Sequence, residues 1–334
     1  MSKKVLILLA LFIFLLIAFL ISLSLGSVPI SINEILNIFS SSNEANKRIL
    51  LEIRLPRILN SIIVGSALSC SGIILQSMLR NDLAEPGLLG ISAGAGLGAI
   101  LLFILPLSLP FIVIMPVSFI FAVITTTLIF YFAKGFGRSN LNYISTNKII
   151  LTGIAVSALI SSVNGFLLLI SGSSMTQILY WLNGGLSGRG WNEFSIGVFF
   201  VIAGLAGSIF ISKDLNVLNL GEELAISLGL NLQRTQQISI IISSLLAASA
   251  VSIAGIISFV GLIIPNLSRL LIGNDYRYAV PCSVILGALF LLVSDTIARL
   301  IISPAELPVG IVTSFIGAPV FIWLIMRKKI KRVK

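Results

Sequence analysis

Arg54 and Arg57 stand three residues apart immediately before a long apolar run, and Arg299 follows Asp295 by four. A guanidinium presents a planar fork of donors that matches a carboxylate or a phosphate. Arginines at the edge of hydrocarbon therefore imply either an acidic partner or a lipid headgroup. Residues four apart share a helix face, so Asp295 and Arg299 are placed to pair. Glu222 and Glu223 follow Gly221, where acids suit the positive end of a short helix, and Gly229 suits its close. Gly90, Gly94 and Gly98 repeat every fourth residue inside an apolar run, a face another helix can approach closely.

The remaining residues do not assemble a catalytic site. Histidine is absent, which removes the commonest general base and metal ligand. Cys70 and Cys282 lie far apart in apolar segments, without metal or redox spacing. No Gly-Lys dipeptide occurs, so no phosphate-binding P-loop can form, and Gly94-Ala95-Gly96-Leu97-Gly98 lacks the spacing of a dinucleotide fingerprint. No catalytic residue, metal set or cofactor is expected. Asp295 is the only acid well inside a predicted span, which argues against the alternative of a secondary transporter driven by an ion gradient.

These residues sit on elements set by composition. Of 334 residues 57% are apolar and 10% charged, against about 25% charged in soluble domains. Apolar runs fall near 5–25, 58–79, 88–106, 110–133, 149–170, 194–212, 238–256, 257–272, 280–300 and 310–326. Each approaches the roughly 20 residues that cross a bilayer as a helix, and is too long and too continuously apolar for a barrel strand. The chain reads as one all-α polytopic membrane domain over 1–334 with about ten spans. The least certain division is the one near Ile257. The first run is too long for a signal h-region and lacks a cleavage site, so it reads as an uncleaved span.

With both termini inside, 16 of the 22 basic residues fall in inner loops and 6 in outer ones, as the positive-inside tendency requires. The net charge of +10 then needs no nucleic-acid partner, and the tail RKKIKRVK reads as a headgroup anchor. Three stretches leave the membrane: 27–57 and 171–193 outside, and 213–237 inside. The inner stretch reads as two short surface helices, either an ordinary amphipathic surface or a docking element. The outer arginines, disfavoured by topology, serve either docking or headgroup anchoring. A four-residue echo between Ser71-Gly72-Ile73-Ile74 and Ala254-Gly255-Ile256-Ile257 would fit an inverted repeat.

Six ordered segments carry a resemblance over essentially the whole chain: RLPR at 54–57, NDLAEPGLLGISAGAGLG at 81–98, LGEELAISLGL at 220–230, AGIISFVGLIIPNLSRLLIG at 254–273, SDTIAR at 294–299 and ELPVGIVTSFIGAPVFIWLI at 306–325. The chain resembles the permease subunits of ABC importers for iron-siderophores, haem and cobalamin, the large ten-helix type. The resemblance implies a non-enzymatic permease of the cytoplasmic membrane, dimeric with a second copy or a close homologue, with iron-siderophore the favoured cargo. It implies two cytoplasmic ATPase subunits docked on 213–237, at Gly221, Glu222, Glu223, Ala225, Leu228 and Gly229. It also implies an extracytoplasmic solute-binding protein whose glutamates meet Arg54, Arg57 and Arg299. The chain departs from the family pattern at Asn266, where histidine is usual, and at Asp82 and Ser294. An amide can replace some of histidine's hydrogen bonds but cannot titrate.

Overall fold

The computed structural model describes residues 3–26, 30–31, 34–35, 44–105, 111–135, 145–303 and 305–332. Most of positions 27–43 within the stretch 27–57 expected outside, Arg138 and the basic side chains beyond Arg327 lie outside what is described. The long helices are α1 (Lys3–Ser24), α3 (Leu55–Met78), α5 (Phe111–Lys134), α6 (Thr146–Leu169), α8 (Trp191–Leu218), α10 (Leu232–Ala254), α12 (Tyr276–Leu300) and α13 (Val309–Arg332). Between them lie α2 (Glu44–Arg48), which runs through a π turn into α3, and the shorter α4 (Ile91–Ile104), α7 (Met175–Leu182), α9 (Glu222–Ser227) and α11 (Val260–Ile272).

Every expected apolar run coincides with a helix, but among the described residues eight helices are long and apolar enough to cross a membrane. The runs near 88–106 and 257–272 yield helices of 14 and 13 residues, about 20 Å each, short of a hydrocarbon core of about 30 Å. Both are shortened by their entrances. Helix α4 is preceded by a tight turn at Pro86–Leu89 and by Gly90 at φ 69°. Helix α11 begins after Phe259 at φ 70°, a left-handed conformation costly for an aromatic residue. The chain between α10 and α11 leaves the helix at Gly255, φ 73°. The division expected near Ile257 is thus a non-helical stretch over 255–259.

Such a stretch inside a membrane protein must be packed against protein. Here the Gly185 amide donates to the Ala254 carbonyl at 2.7 Å, and the Gly310 amide donates to the Gly184 carbonyl at 3.2 Å. A Cβ at Gly184, Gly255 or Gly310 would collide with a facing carbonyl, so glycine is what lets these three backbones meet. The four-residue echo does not mark equivalent places: Gly72 is mid-helix, whereas Gly255 ends one.

Helix α3 is the hub. Twenty of its 24 residues are buried, and α8, α10, α11 and α12 all pack on it. A helix buried on all sides belongs in the centre of such an assembly. Lipid offers no hydrophobic drive between helices, so close backbone approach and polar cross-links hold them. A Cβ at Gly65 would strike the Gly287 carbonyl, one at Gly287 would strike the Gly65 carbonyl, and one at Gly72 would strike the Gly261 carbonyl. Ser71 donates to the Ser243 carbonyl at 2.8 Å and Ser283 to the Ser69 carbonyl at 3.2 Å. On α4, Gly94 and Gly98 face Thr125 and Phe121 of α5, and Gly90 faces Thr125 and Ile129. One four-residue ladder thus lies against another.

Gly72→Val should lower the thermal stability of the purified protein by about 1–3 kcal/mol or prevent its recovery as a single species. Gly165→Ala, where an added Cβ meets nothing within 4 Å, should be neutral or slightly stabilising. Wild-type unfolding of Gly72→Val in detergent would refute the backbone contact with Gly261.

Candidate functional site

Two places gather the residues singled out by sequence. The first lies where α3 begins. Arg54 ends the π turn Ile49–Arg54, Pro56 occupies the first turn of α3, and Arg57 follows on the buried face. Across from it, α12 carries Asp295 and Arg299 one helical turn apart, and Glu306 comes from the connection to α13.

Arg57 grips Asp295 with two nitrogens, Nη2 to Oδ1 at 2.9 Å and Nε to Oδ2 at 3.0 Å. Its Nη1 holds both Glu306 oxygens, at 2.9 and 2.8 Å. Arg299 Nε also lies 3.4 Å from Asp295 Oδ2, so the pair expected from spacing exists, but Arg57 is the closer partner. Arg299 Nη2 donates to Ser22 Oγ at 2.6 Å. Arg54 Nη1 donates to the carbonyls of Leu23 and Ser24 at 2.7 and 3.1 Å, placing a cation where α1 exposes its last acceptors. Gly26 leaves room for that guanidinium, because a Cβ there would lie 2.5 Å from Arg54 Nη2.

All three arginines are thereby enclosed: Arg54, Arg57 and Arg299 are 4%, 6% and 6% exposed, and Asp295 is fully buried. The structure places them within the chain rather than as free guanidiniums on an outer surface. Their employment is an internal knot tying α1, α3, α12 and the α12–α13 connection. Glu306, at 32% side-chain exposure, is the member that reaches solvent. Burial is the largest influence on the Glu306 carboxyl and raises it, but the Arg57 guanidinium, a hydrogen bond with Ser187 and the Arg299 charge together hold the acid below the usual carboxylate range. Sequence reasoning missed Glu306 because nothing local ties it to Arg57, 249 residues away. Its one signal was being an acid in a short outer connection beside Arg299. Arg189, another outer arginine, is buried too, and burial pushes its guanidinium down to about 10 against the opposing pull of Glu193 and Tyr180.

The second place is the connection between α8 and α10. Gly221 at φ 121° opens α9 and Gly229 at φ 83° follows it, both conformations that side chains resist. Asn231 then caps α10 by accepting from the Arg234 amide at 3.0 Å. One of the two short helices expected here does not exist separately: Leu215 and Leu218 belong to the last turns of α8, a helix of 28 residues. Ala225 is buried beneath α9, Glu222 is half-buried and Glu223 exposed. Leu220, Leu224, Ile226 and Leu228 are each more than half exposed, an apolar group on a short polar-flanked element. Its chemistry is that of a contact surface.

Removing the shared carboxylate should unbalance the first site. Asp295→Ala leaves the Arg57 and Arg299 guanidiniums buried without their common partner and should cost about 3–5 kcal/mol. Thermal unfolding in detergent reads this directly, and a loss below about 1 kcal/mol would mean the knot is not structural.

The chain matches the FecCD transport family over residues 14–327. It is 37% identical to the hemin transport system permease protein of Yersinia pestis over 316 residues, 93% of this chain and 92% of that one. It is 34% identical to the Fe(3+) dicitrate transport system permease protein of Escherichia coli over 310 residues, 93% and 95% of the two chains. Among solved structures, a metal-chelate-type ABC transporter in an inward-facing conformation superposes with a TM-score of 0.85 at 30% identity, covering 96% of this chain and 99% of that one. With the match running from the first span to the last, the chain belongs to the FecCD transport family, the permeases of metal-chelate ABC transporters.

Proposed function

We propose that this chain forms the translocation path of an ATP-driven importer for a ferric siderophore, with haem and cobalamin the other chelates in range. The observation that carries the reading is the family match over 14–327, supported by relatives named for hemin and Fe(3+) dicitrate transport. In this reading the membrane is the cytoplasmic membrane, ten helices assemble the permease with α4 and α11 as its short members, and both termini face the cytoplasm.

Energy comes from two ATPase subunits seated on 221–229, where the exposed apolar group of α9 offers contact area and Glu222 and Glu223 offer charge. A second permease copy or close homologue covers exposed apolar side chains of α6 and α13, among them Leu151, Leu159, Phe166 and Phe315. A solute-binding protein delivers cargo at the outer end of α3. Its carboxylates reach Arg57 only by displacing Glu306, the solvent-reaching partner of that guanidinium.

Three measurements test the reading. Uptake in proteoliposomes should require ATP, the ATPase and the binding protein together, and uptake driven by an ion gradient alone would overturn it. Replacing Glu222 and Glu223 by lysine should reduce ATPase copurification several-fold; normal copurification would remove both from the docking surface. Glu306→Gln should release Arg57 toward the outside and tighten binding-protein association by roughly threefold or more in a pull-down titration. Unchanged or weaker association would exclude Arg57 as the docking cation.

A further inference from the structure

Four connections converge at the end of the molecule opposite the charge knot: the loop after α3, the end of α8, the end of α11 and the start of α12. They enclose a cavity of ≈ 370 Å³. Its wall is mostly polar, with Arg80 and Arg269 set among the carboxamides of Gln76, Asn219, Asn266 and Asn274, and Leu270 and Tyr276 complete it. The one acid on the wall, Asp82, already lies 3.0 Å from Arg269 Nη2.

The two cations are held in unusual states. Arg269 is nine-tenths buried, with a side-chain exposure of 10%. Its Nη2 is crowded by three acceptors, Gln76 Oε1 at 2.5 Å, Asp82 Oδ1 at 3.0 Å and Asn266 Oδ1 at 3.1 Å. Its Nη1 is buried with no partner, a condition a folded chain avoids unless something else supplies the acceptor. Arg80 adopts φ 46°, a left-handed backbone that L residues avoid and that clusters where function requires it. That conformation lays its guanidinium over Gly221, whose added Cβ would meet Nη1 at 3.8 Å. Among the described residues, Arg80 has no ion pair, and the Asn219 and Asn274 carboxamides make no side-chain hydrogen bond.

We infer that this cavity binds a small oxyanion of the phosphate class. Two guanidiniums against one carboxylate leave the wall net positive, which disfavours a cation and favours an anion. Donors arrive from four separate elements, an arrangement that suits the three or four oxygens of a tetrahedral ion better than the two of a carboxylate. The bound ion fastens the loop after α3 to Gly221, the residue that opens α9, so the site adjoins the proposed ATPase-docking connection. Two sources share this chemistry: free phosphate, or the phosphate of an anionic lipid headgroup. The inference rests on the importer reading only for that adjacency, and its test needs no ATPase, cargo or binding protein.

The purified permease in phosphatidylcholine nanodiscs is titrated with inorganic phosphate against chloride at matched ionic strength, and its thermal unfolding is followed. The expected result is a saturable rise in Tm. Arg80→Gly removes one guanidinium and relieves the positive φ together, so this variant folds at least as well as the parent. It should weaken the phosphate response roughly tenfold or abolish it. No rise in the parent in phosphatidylcholine, or an equal rise there in the glycine variant, would overturn the inference. In nanodiscs containing phosphatidylglycerol, a parent already stabilised relative to Arg80→Gly and indifferent to added phosphate identifies the headgroup as the source. A phosphate response that persists there identifies the free ion.

Discussion

Helices in hydrocarbon gain nothing from hiding apolar side chains from one another, so their association depends on how closely their backbones can come. In this chain that constraint is met on α3. Gly65 lies against Gly287, too close for a side chain on either, and Gly72 lies against Gly261, too close for a side chain on Gly72. Because both glycines of α3 lie among twenty buried residues, the helix cannot rotate to present another face without losing α11 or α12. Ser69 and Ser71 then take cross-helix hydrogen bonds that only this rotation permits. The remaining helices are arranged by where they meet this hub, and α1 stays peripheral, with Ser22 and Leu23 its only buried residues.

The charge knot follows from the same geometry. Close approach of α3 and α12 brings Arg57 and Asp295 together in a place without water, where neither ion is tolerable alone. The second carboxylate, Glu306, and the second cation, Arg299, bring further polar contacts to a pair already expensive to bury. Arg54 stands apart from the carboxylates and is satisfied by backbone carbonyls at the end of α1. Three arginines that look alike in sequence thus meet three different partners: a double carboxylate, a helix end, and a serine with a shared acid.

Periodicity and composition made the helical membrane class and the positions of all ten apolar runs legible, because hydrocarbon imposes a length and a polarity that short windows reveal. What stayed hidden depends on backbone conformation and distant pairing. The shortness of α4 and α11 comes from Gly90 and Phe259 at positive φ, and a phenylalanine gives no warning of a left-handed turn. The extent of α8 beyond its apolar run was hidden because Leu215 and Leu218 continue its register through a polar stretch that reads as loop. Asp295 and Arg299 were legible as a pair because four residues fix their spacing on a helix. Glu306 was not, since its partner comes from the other end of the chain. The glycines around α9 were readable from local chemistry, and Gly221 and Gly229 do carry the positive φ that chemistry requires.

Helix α3 also joins the charge knot at one end to the polar cavity at the other. Arg57 lies in its first turn and Gln76 in its last, about 28 Å apart along a helix without proline between them. Arg57 is tied to Asp295 and Glu306, while Gln76 is tied to the Gly261 and Leu262 carbonyls and to Arg269. Between those ties α3 has no proline, but it carries the glycine–serine pairs Gly65-Ser66 and Ser71-Gly72, a kind of site at which helices kink, and both are braced by the close contacts with Gly287 and Gly261. Movement of the charge knot relative to the cavity at the other end of α3 would carry α11 and α12 with it, because the glycine contacts hold them to that helix. The glycines around α9, Gly221 and Gly229, lie outside those contacts. Those are positions that can change conformation while the hub keeps its contacts.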